Sequence, residues 1–428
     1  MGLTDVLCVI MGGGRGTRLF PLTRYRCKPA VPLAGKYRLV DVPISNCLNA
    51  GLNKIYILTQ FNTRSLHRHI ENTYRFDTFG GGGIEIFSAE QTDDGIGNWY
   101  EGNADAVRKN MRYFNVNDDD IMVILSGDQL YRMDIADFIR HHIETKADLT
   151  IAAKSIMTAK VSPFGVMRVD SNFSICEFVE KPTDPSVIEE LTLHGPLRNN
   201  LKDMSDTPYA LVSMGIYVFK VGILKRALAG SGTDFGKEII PSLLNRIRLK
   251  AYIFDDYWED IGTVRSFFET NLMLAKDVPQ FNFFDEKNPI YTHPRALPAS
   301  KINSCSMREV LISEGSIISE STLRRCVIGQ RGIVGRSSLM ENVLMMGANM
   351  YETADDVANN KKIGIPNIGV GDGCYIRNCI IDKNARIGNN VKLTPDRKDD
   401  GFEYDGIYVR DGILCVGQDA IIPDNTSI

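Results

Sequence analysis

The chain has 428 residues, of which 43% are hydrophobic and 24% charged, a balance typical of a globular protein with enough length for two or more domains. Its net charge of −4 and pI of about 6.0 provide no bulk basic field, so we expect no nucleic-acid partner. No apolar stretch approaches the length of a membrane-spanning helix, so we expect no membrane partner.

The first predicted element is a buried strand, Val6 to Met11, which continues directly into the glycine-rich segment GGGRGTRL. Glycines permit close backbone approach, and successive N–H groups can form a nest for an anion. Arg15, Arg18 and Lys28 add positive charge to the same region. The segment matches neither the P-loop pattern nor GxGxxG. We interpret it as a site for a phosphate chain, most simply that of a nucleotide; the alternative is a glycine-rich turn with surface charges.

Strand-like and helix-like segments alternate over residues 1–275. IYILTQ, IMVILSGD and DLTIAAKS are typical of buried strands, whereas HRHIENTYRF and ADAVRKNMRYF have helical spacing. This alternation predicts an α/β domain with a mixed, mostly parallel sheet. Ligands of such sheets bind beyond the carboxyl ends of the strands. Both the glycine segment and SGDQ lie at such ends.

The pattern changes after a connector, residues 276–300, that is rich in proline and aromatic side chains. Over residues 301–428, small aliphatic clusters recur at intervals of roughly six, with glycines at the corners. This period predicts the coils of a parallel β-helix, and a sandwich of short strands is the alternative. The segment 350–366 breaks the period and is expected to loop outward.

Two aspartates are candidate Mg²⁺ ligands, because this ion prefers few carboxylates together with the oxygens of a phosphate substrate. Asp128 follows a buried strand and a glycine, and Asp260 lies in the aromatic and acidic segment DYWEDIGT. Taken singly, such an aspartate more often serves a turn or a helix cap. Glu180 and Lys181 end an alternating strand before a proline, where the lysine is suited to a phosphate and the glutamate to sugar hydroxyls.

Twelve blocks of the chain, in order, resemble those of the ADP-glucose pyrophosphorylases, a family of sugar nucleotidylyltransferases. They include GGGRGTRLFPLT, KPAVPLAGKYRLVDVPISNCLNAG, NWYEGNADAV, SGDQLYRMD, FVEKP, YWEDIGT and IIDKNARIG. The resemblance implies transfer of the adenylyl group of ATP to glucose 1-phosphate, with Mg²⁺ as cofactor, in glycogen or starch synthesis. It also implies a Rossmann-like α/β catalytic domain followed by a left-handed β-helix. A homotetramer or heterotetramer is expected.

The resemblance also implies roles for individual residues. Arg18, Lys28 and Asp128 would be catalytic, and Asp128 and Asp260 would bind the metal. The remaining positions are as follows: for ATP, Gly12, Gly13, Arg15, Gln91, Tyr100 and Gly102; for glucose 1-phosphate, Gly165, Glu180, Lys181, Ser213, Tyr217 and Trp258; for anionic metabolite effectors, Arg26, Arg295 and Lys383.

The chain departs from the family pattern at four positions. Gln129 stands where a histidine is common and Asn103 where a threonine is usual, which leaves catalytic rate and subunit role open. Gln418 and Tyr25 stand where lysines contribute to effector binding in some members, which leaves the effector open.

Three alternatives accompany this interpretation. A related pyrophosphorylase would use another nucleotide or sugar. A regulatory subunit would bind without turnover, but the charges at Arg18, Lys28, Asp128 and Lys181 are all retained. An acyltransferase would place a catalytic histidine on the β-helix, and residues 300–428 contain no histidine. The chain begins at Met1 without an Arg- and Ser-rich leader, which predicts a cytoplasmic protein, or a plastid protein whose transit peptide has been removed.

Overall fold

An α/β domain forms the N-terminal part of the molecule. The computed structural model describes residues 6–77, 79, 81–89, 99–194, 207–396 and 398–428. The strands of this domain are β1 (Val6–Met11), β2 (Pro32–Leu33), β3 (Tyr37–Arg38), β4 (Lys54–Thr59), β5 (Gly83–Ser88), β6 (Ile121–Ser126), β7 (Gln129–Tyr131), β8 (Leu149–Met157), β9 (Gly165–Val169), β10 (Ile175–Glu180), β11 (Tyr209–Lys220), β12 (Leu249–Ile253) and β13 (Trp258–Asp260). Its helices are α1 (Asp41–Asn49), α2 (Arg64–Thr73), α3 (Asn103–Asn110), α4 (Ile135–Glu144), α5 (Pro185–Glu190), α6 (Val221–Leu228), α7 (Ile240–Leu243) and α8 (Val264–Met273).

The main sheet has nine strands among the described residues, in the order β10-β9-β11-β6-β1-β4-β5, with β8 also paired to β11 and β12 to β8. The pairs β1–β4, β1–β6 and β4–β5 are parallel, and β11 is antiparallel to its neighbours. Strand β1 is buried along nearly its whole length because both faces of a parallel sheet are covered. The prediction of a mixed, mostly parallel sheet is confirmed.

The register of this sheet brings two predicted site segments together. Met11 pairs with Ser126, so the segments after β1 and β6 leave the sheet side by side. Strand β7 then pairs antiparallel with β13, which sets Asp260 opposite Gln129. Asp260 is the last residue of β13 and therefore lies next to Asp128.

The C-terminal part is a β-helix. Its strands are β14 (Lys301–Asn303), β15 (Ser306–Ile312), β16 (Ile317–Ser319), β17 (Thr322–Ile328), β18 (Ile333–Val334), β19 (Leu339–Met345), β20 (Gly369–Val370), β21 (Tyr375–Ile381), β22 (Arg386–Ile387), β23 (Lys392–Leu393), β24 (Glu403–Tyr404), β25 (Ile407–Arg410), β26 (Ile413–Val416) and β27 (Ile421–Ile422). Coil-to-coil pairing is parallel, and among the described strands of this C-terminal part only β24, β25 and β26 form antiparallel pairs. Stacked inward positions such as Val310, Cys326, Val343 and Cys379 explain the aliphatic period, and the sandwich alternative is wrong.

The segment predicted to loop outward contains one further helix, α9 (Ala354–Ile363). Thr353 and Asp356 form a capping box at its start, and Gly364 ends it in the left-handed conformation. Local capping chemistry therefore adds a helix to this insertion between β19 and β20.

The two parts share one apolar core. Phe267 of α8 belongs to the same cluster of buried side chains as Val327, Leu344 and Ile380 of the β-helix. Burial of each such side chain contributes about 1.5–3 kcal/mol, so the shared core holds the β-helix against the α/β domain. None of the described helices is both long enough and apolar enough to span a membrane.

Candidate active site

The glycine segment lies beyond the carboxyl ends of β1, β4 and β6. Gly12 donates its N–H to Leu58 O at 2.7 Å, and Gly127 donates to Met11 O at 3.1 Å, which ties the three strand ends together. The N–H of Gly12 is therefore used within the sheet. Within the described part of the chain, the N–H groups of residues 13–16 have no acceptor. Successive free N–H groups beside Arg15 and Arg18 suit an anion.

A lysine and two carboxylates meet beside this loop. Lys28 Nζ lies 2.7 Å from Asp128 Oδ2 and 3.9 Å from Asp260 Oδ1. Ser126 donates its hydroxyl hydrogen to the other carboxylate oxygen of Asp128. The backbone at Gly262 passes close to both Asp260 and Arg18, because a Cβ there would lie 3.0 Å from Asp260 Oδ2 and 3.5 Å from a guanidinium nitrogen of Arg18. The cluster therefore combines two negative charges with two positive ones.

The pKa values of the two carboxyl groups shift in opposite directions. Burial would raise the pKa of Asp128, but the ammonium of Lys28 and the hydrogen bond from Ser126 outweigh it and lower that pKa. Burial, followed by the charge of Asp128, raises the pKa of Asp260. The pair therefore favours a bound cation, which would screen one carboxylate from the other.

This donor set fits Mg²⁺. Both carboxylates keep about a quarter of their side-chain surface exposed toward the cleft, at 26% and 24%. Within the described ranges, no group of three or more His, Cys, Asp or Glu side chains is placed to bind a metal ion. Mg²⁺ commonly takes one or two carboxylates and completes its shell with phosphate oxygens and water.

An open cleft of about 540 Å³ adjoins the loop on one side. Phe61 and Trp99 stack with their ring centres 5.1 Å apart and their planes within 6°, and the Arg15 guanidinium lies 5.3 Å from the Phe61 ring centre. Tyr100 and Gly102 line the same cleft, and Gln91 lies outside the described residues. Flat aromatic surfaces beside a phosphate-binding loop are suited to a nucleobase.

A second group of residues, the Glu180 group (Gly165, Glu180, Lys181, Tyr217 and Gly236), lies near Asp260, whose pKa the charge of Lys181 lowers in part. A Cβ at Gly165 or at Gly236 would lie 2.7 Å or 2.5 Å from Glu180 Oε2, so both glycines leave room for this carboxylate. Lys181 has a positive φ of 51° at the end of β10, and its Nζ lies 3.1 Å from Glu180 Oε1. Burial raises the pKa of nearby Tyr217, which keeps its hydroxyl neutral.

The three predicted effector residues lie away from the cleft, between the two parts of the molecule. Arg26 Nη1 forms a buried ion pair with Asp382 Oδ1 at 2.8 Å, and Arg295 Nη1 donates to Gln330 Oε1 at 2.6 Å. Burial, then the charges of Arg295, Arg38 and Arg26, lowers the pKa of Lys383 to about 7. These cations are therefore close enough to Lys383 for their charges to repel its own.

Sequence reasoning missed several residues that the fold adds to these groups. Ser126 precedes Asp128 by two positions, so the period of a strand could have indicated that it faces the same side. Phe61 directly follows the predicted strand IYILTQ, and Gly236 lies in the DFGKEIIP segment. Arg38 carries no local signal of its place beside Lys383.

A family model of nucleotidyl transferases matches residues 7–277, and a model of the GLGC left-handed parallel β-helix domain matches residues 295–427. The first match covers more than half of the chain, so this chain belongs to the nucleotidyl transferase family and is a sugar nucleotidyltransferase. The two domains in this order form the architecture of the ADP-glucose pyrophosphorylases. The predicted left-handed β-helix is confirmed.

Proposed function

We propose that this protein transfers the adenylyl group of ATP to glucose 1-phosphate and releases pyrophosphate and ADP-glucose. The observation that carries the proposal is the position of Lys28 between Asp128 and Asp260. This charged cluster adjoins the aromatic cleft beside the glycine loop and, through Asp260 and Lys181, the Glu180 group. A nucleotide in the first and a sugar phosphate in the second would bring their phosphates to the same carboxylates.

Little proton transfer is required in this reaction, because a sugar phosphate is already ionised at neutral pH. One of its oxygens attacks the α-phosphorus of ATP, and the bond from that phosphorus to the pyrophosphate oxygen breaks as the new bond forms. Catalysis then consists mainly of alignment and neutralisation of charge. Asp128 and Asp260 would hold Mg²⁺, which when bound screens the mutual repulsion of the phosphates.

Different groups of the site would bind each of the two substrates. The free N–H groups of the loop, with Arg15 and Arg18, would hold the phosphates that leave as pyrophosphate. Lys28 would neutralise charge at the reacting phosphorus, and Lys181 would bind the phosphate of the sugar. The N–H of Gly12 is occupied by Leu58, so Gly12 contributes by the absence of a side chain.

Sugar selection would depend on the Glu180 group. Glu180 can accept hydrogen bonds from sugar hydroxyls, and Gly165 leaves the space for them. Tyr217 lies near both Ser213 and Glu180, and Trp258 packs on Phe164, so these residues lie near the Glu180 group. A neutral Tyr217 can donate a hydrogen bond to the sugar, whereas the indole N–H of Trp258 already donates to Gln129, so Trp258 would contribute its ring surface.

Anionic metabolites would regulate the enzyme through the space between the two domains. Burial, followed by Arg26, lowers the pKa of Arg38 to about 10, and burial with Arg331 lowers that of Arg295. With Arg26 and Lys383 these side chains form a cluster whose mutual repulsion a phosphate-bearing ligand would relieve. We propose activity in a tetramer and a product used for glycogen or starch.

Pyrophosphate release from the purified protein tests the proposal. Glucose 1-phosphate and Mg²⁺ are supplied with ATP, UTP, GTP or dTTP in separate reactions. Release with ATP alone supports the proposal, whereas release only with another nucleotide assigns a related pyrophosphorylase. No release with any nucleotide, even with phosphoglycerate or fructose phosphates present, favours a regulatory subunit that needs a catalytic partner. An active enzyme without response to 3-phosphoglycerate, fructose phosphates or orthophosphate contradicts regulation by anions.

A further inference from the structure

Gln129 is buried beside the carboxylate pair and lies opposite Asp260 in the pairing of β7 with β13. It directly follows Asp128 and is only 5% exposed. Its Nε2 donates to Met214 O at 2.7 Å, and its Oε1 accepts from Trp258 Nε1 at 3.1 Å. A carbonyl oxygen only accepts and an indole N–H only donates, so the two partners determine the orientation of the amide.

The first hydrogen bond holds an irregular part of β11. The pairing of β11 with β8 shifts register between Ser213 and Tyr217, and Gly215 within this bulge has a φ of +70°. Gly215 donates its N–H to Ser213 Oγ at 3.1 Å. The bond from Gln129 to Met214 therefore anchors the bulge from which Ser213 projects.

The second hydrogen bond holds Trp258 of β13. Trp258 packs on Phe164 with ring centres 5.3 Å apart, and Phe164 O accepts the N–H of Lys181 at 2.9 Å. The indole is 7% exposed, so its N–H depends on Gln129 for a partner in place of water. The contacts from Gln129 thus reach both Ser213 and Lys181.

We infer that Gln129 is a positioning residue that fixes the sugar-phosphate pocket relative to the two carboxylates. The inference rests on the proposed function, since it concerns the pocket assigned to glucose 1-phosphate. Both side-chain hydrogen-bonding groups of Gln129 are used by Met214 and Trp258, so Gln129 would act on the substrate through these two residues. Loss of its amide leaves two buried polar groups unsatisfied and lets Met214 and Trp258 shift, while the aromatic cleft for ATP stays unchanged.

Steady-state kinetics of three variants test this role. Gln129→Met keeps the length of the side chain and removes both hydrogen bonds, so we expect a KM for glucose 1-phosphate about 10-fold higher, with the KM for ATP within about twofold of the wild type. Gln129→His, assayed at pH 8, has one donor and one acceptor nitrogen and should restore most of that loss. Asn271→Leu is the matched control, because Asn271 is fully buried on α8 and exchanges one donated and one accepted hydrogen bond with Phe267 O and Ala34 N. It should lower thermal stability without changing either KM.

The outcomes separate this inference from the proposed function. A wild-type protein that releases no pyrophosphate with glucose 1-phosphate overturns both. An active wild type overturns the inference alone if Gln129→Met leaves the KM for glucose 1-phosphate unchanged or raises both KM values equally. A histidine variant as impaired as the methionine variant also overturns it, because the hydrogen bonds would then not be the cause.

Discussion

Asp128 is the side chain on which the charge balance of the cleft depends. Its position after a buried strand predicts a site residue from sequence, because the strand end faces the ligand side of a parallel sheet. The distances from Lys28 to Asp128 and Asp260 depend on contacts between segments at least 100 residues apart, and no local pattern encodes them. Sequence could therefore name the residues of the cluster and could not predict their geometry.

Replacement of Asp128 by asparagine tests the carboxylate without changing its shape. We expect Asp128→Asn to lower pyrophosphate release by about 10³-fold, since it removes a charge where phosphate charge must be neutralised. Initial rates with ATP and glucose 1-phosphate measure the effect, and thermal unfolding confirms that the variant folds. Asp118→Asn is the control, because Asp118 pairs with Lys225 at the surface. Retention of more than about a tenth of the activity would contradict a catalytic role for Asp128.

Lys383 should make the stability of the protein depend on pH. The pKa of about 7 lies below the ordinary lysine value of 10.5, so between these values the unfolded chain holds a proton that the folded protein has released. The free energy of unfolding therefore rises with pH from about 7 toward 10, by up to roughly 1 kcal/mol per pH unit. Below pH 7 Lys383 is protonated in both states, so its stability gain is absent and the slope disappears.

Urea unfolding at pH 7, 8 and 9 measures this slope. Lys383→Met should flatten it, whereas Lys361→Met, which changes an exposed lysine on α9, should leave it as in the wild type. Equal slopes in all three proteins would show that Lys383 keeps an ordinary pKa. An anionic effector should reduce the slope, because it favours the charged form of Lys383.

The loop that precedes α3 shows how an element is positioned by backbone contact. Ala104 donates its N–H to Thr233 O at 2.9 Å, and a Cβ at Gly102 would lie 2.3 Å from the same oxygen. Helical spacing in ADAVRKNMRYF is sufficient to predict α3, because the period is local. The contact with Thr233 joins segments far apart in the chain and is a property of the fold.

Gly102→Ala should therefore displace this loop and widen the aromatic cleft. Gly102 has an extended φ of −172°, which alanine also adopts, so the effect is steric. We expect the KM for ATP to rise about 10-fold and the KM for glucose 1-phosphate to stay constant. Gly230→Ala is the control, because a Cβ at Gly230 meets open space. Equal KM values for ATP in the two variants would refute a role of this contact in the nucleotide cleft.

The two domains are joined by a buried ion pair as well as by apolar packing. The side chains of Arg26 and Asp382 are 5% and 2% exposed, and Arg26 also donates to Gln418. A charge buried between domains and deprived of its partner is costly. The pair therefore couples the β-helix to the segment that follows the glycine loop.

Removal of Asp382 should weaken the molecule far more than removal of a surface charge. Asp382→Ala leaves Arg26 uncompensated and should lower the free energy of unfolding by about 3–5 kcal/mol. Arg324→Ala, which breaks a pair with Glu341 at a 63% exposed side chain, should cost at most about 1 kcal/mol. Calorimetry and urea unfolding measure both, and similar losses would argue against the interdomain pair as a coupling contact.

Local patterns in the sequence determined the α/β domain, the glycine loop at the end of β1 and the coils of the β-helix, because strand, helix and coil periods are properties of neighbouring residues. They also predicted that Asp128 and Lys181 follow the ends of strands, which the positions of β6 and β10 bear out. Only the tertiary structure decided that Gln129 bridges Met214 and Trp258, and that Arg38 joins the cations around Lys383. These contacts unite segments distant in the chain, and their energies depend on burial, which exists only once the chain has folded.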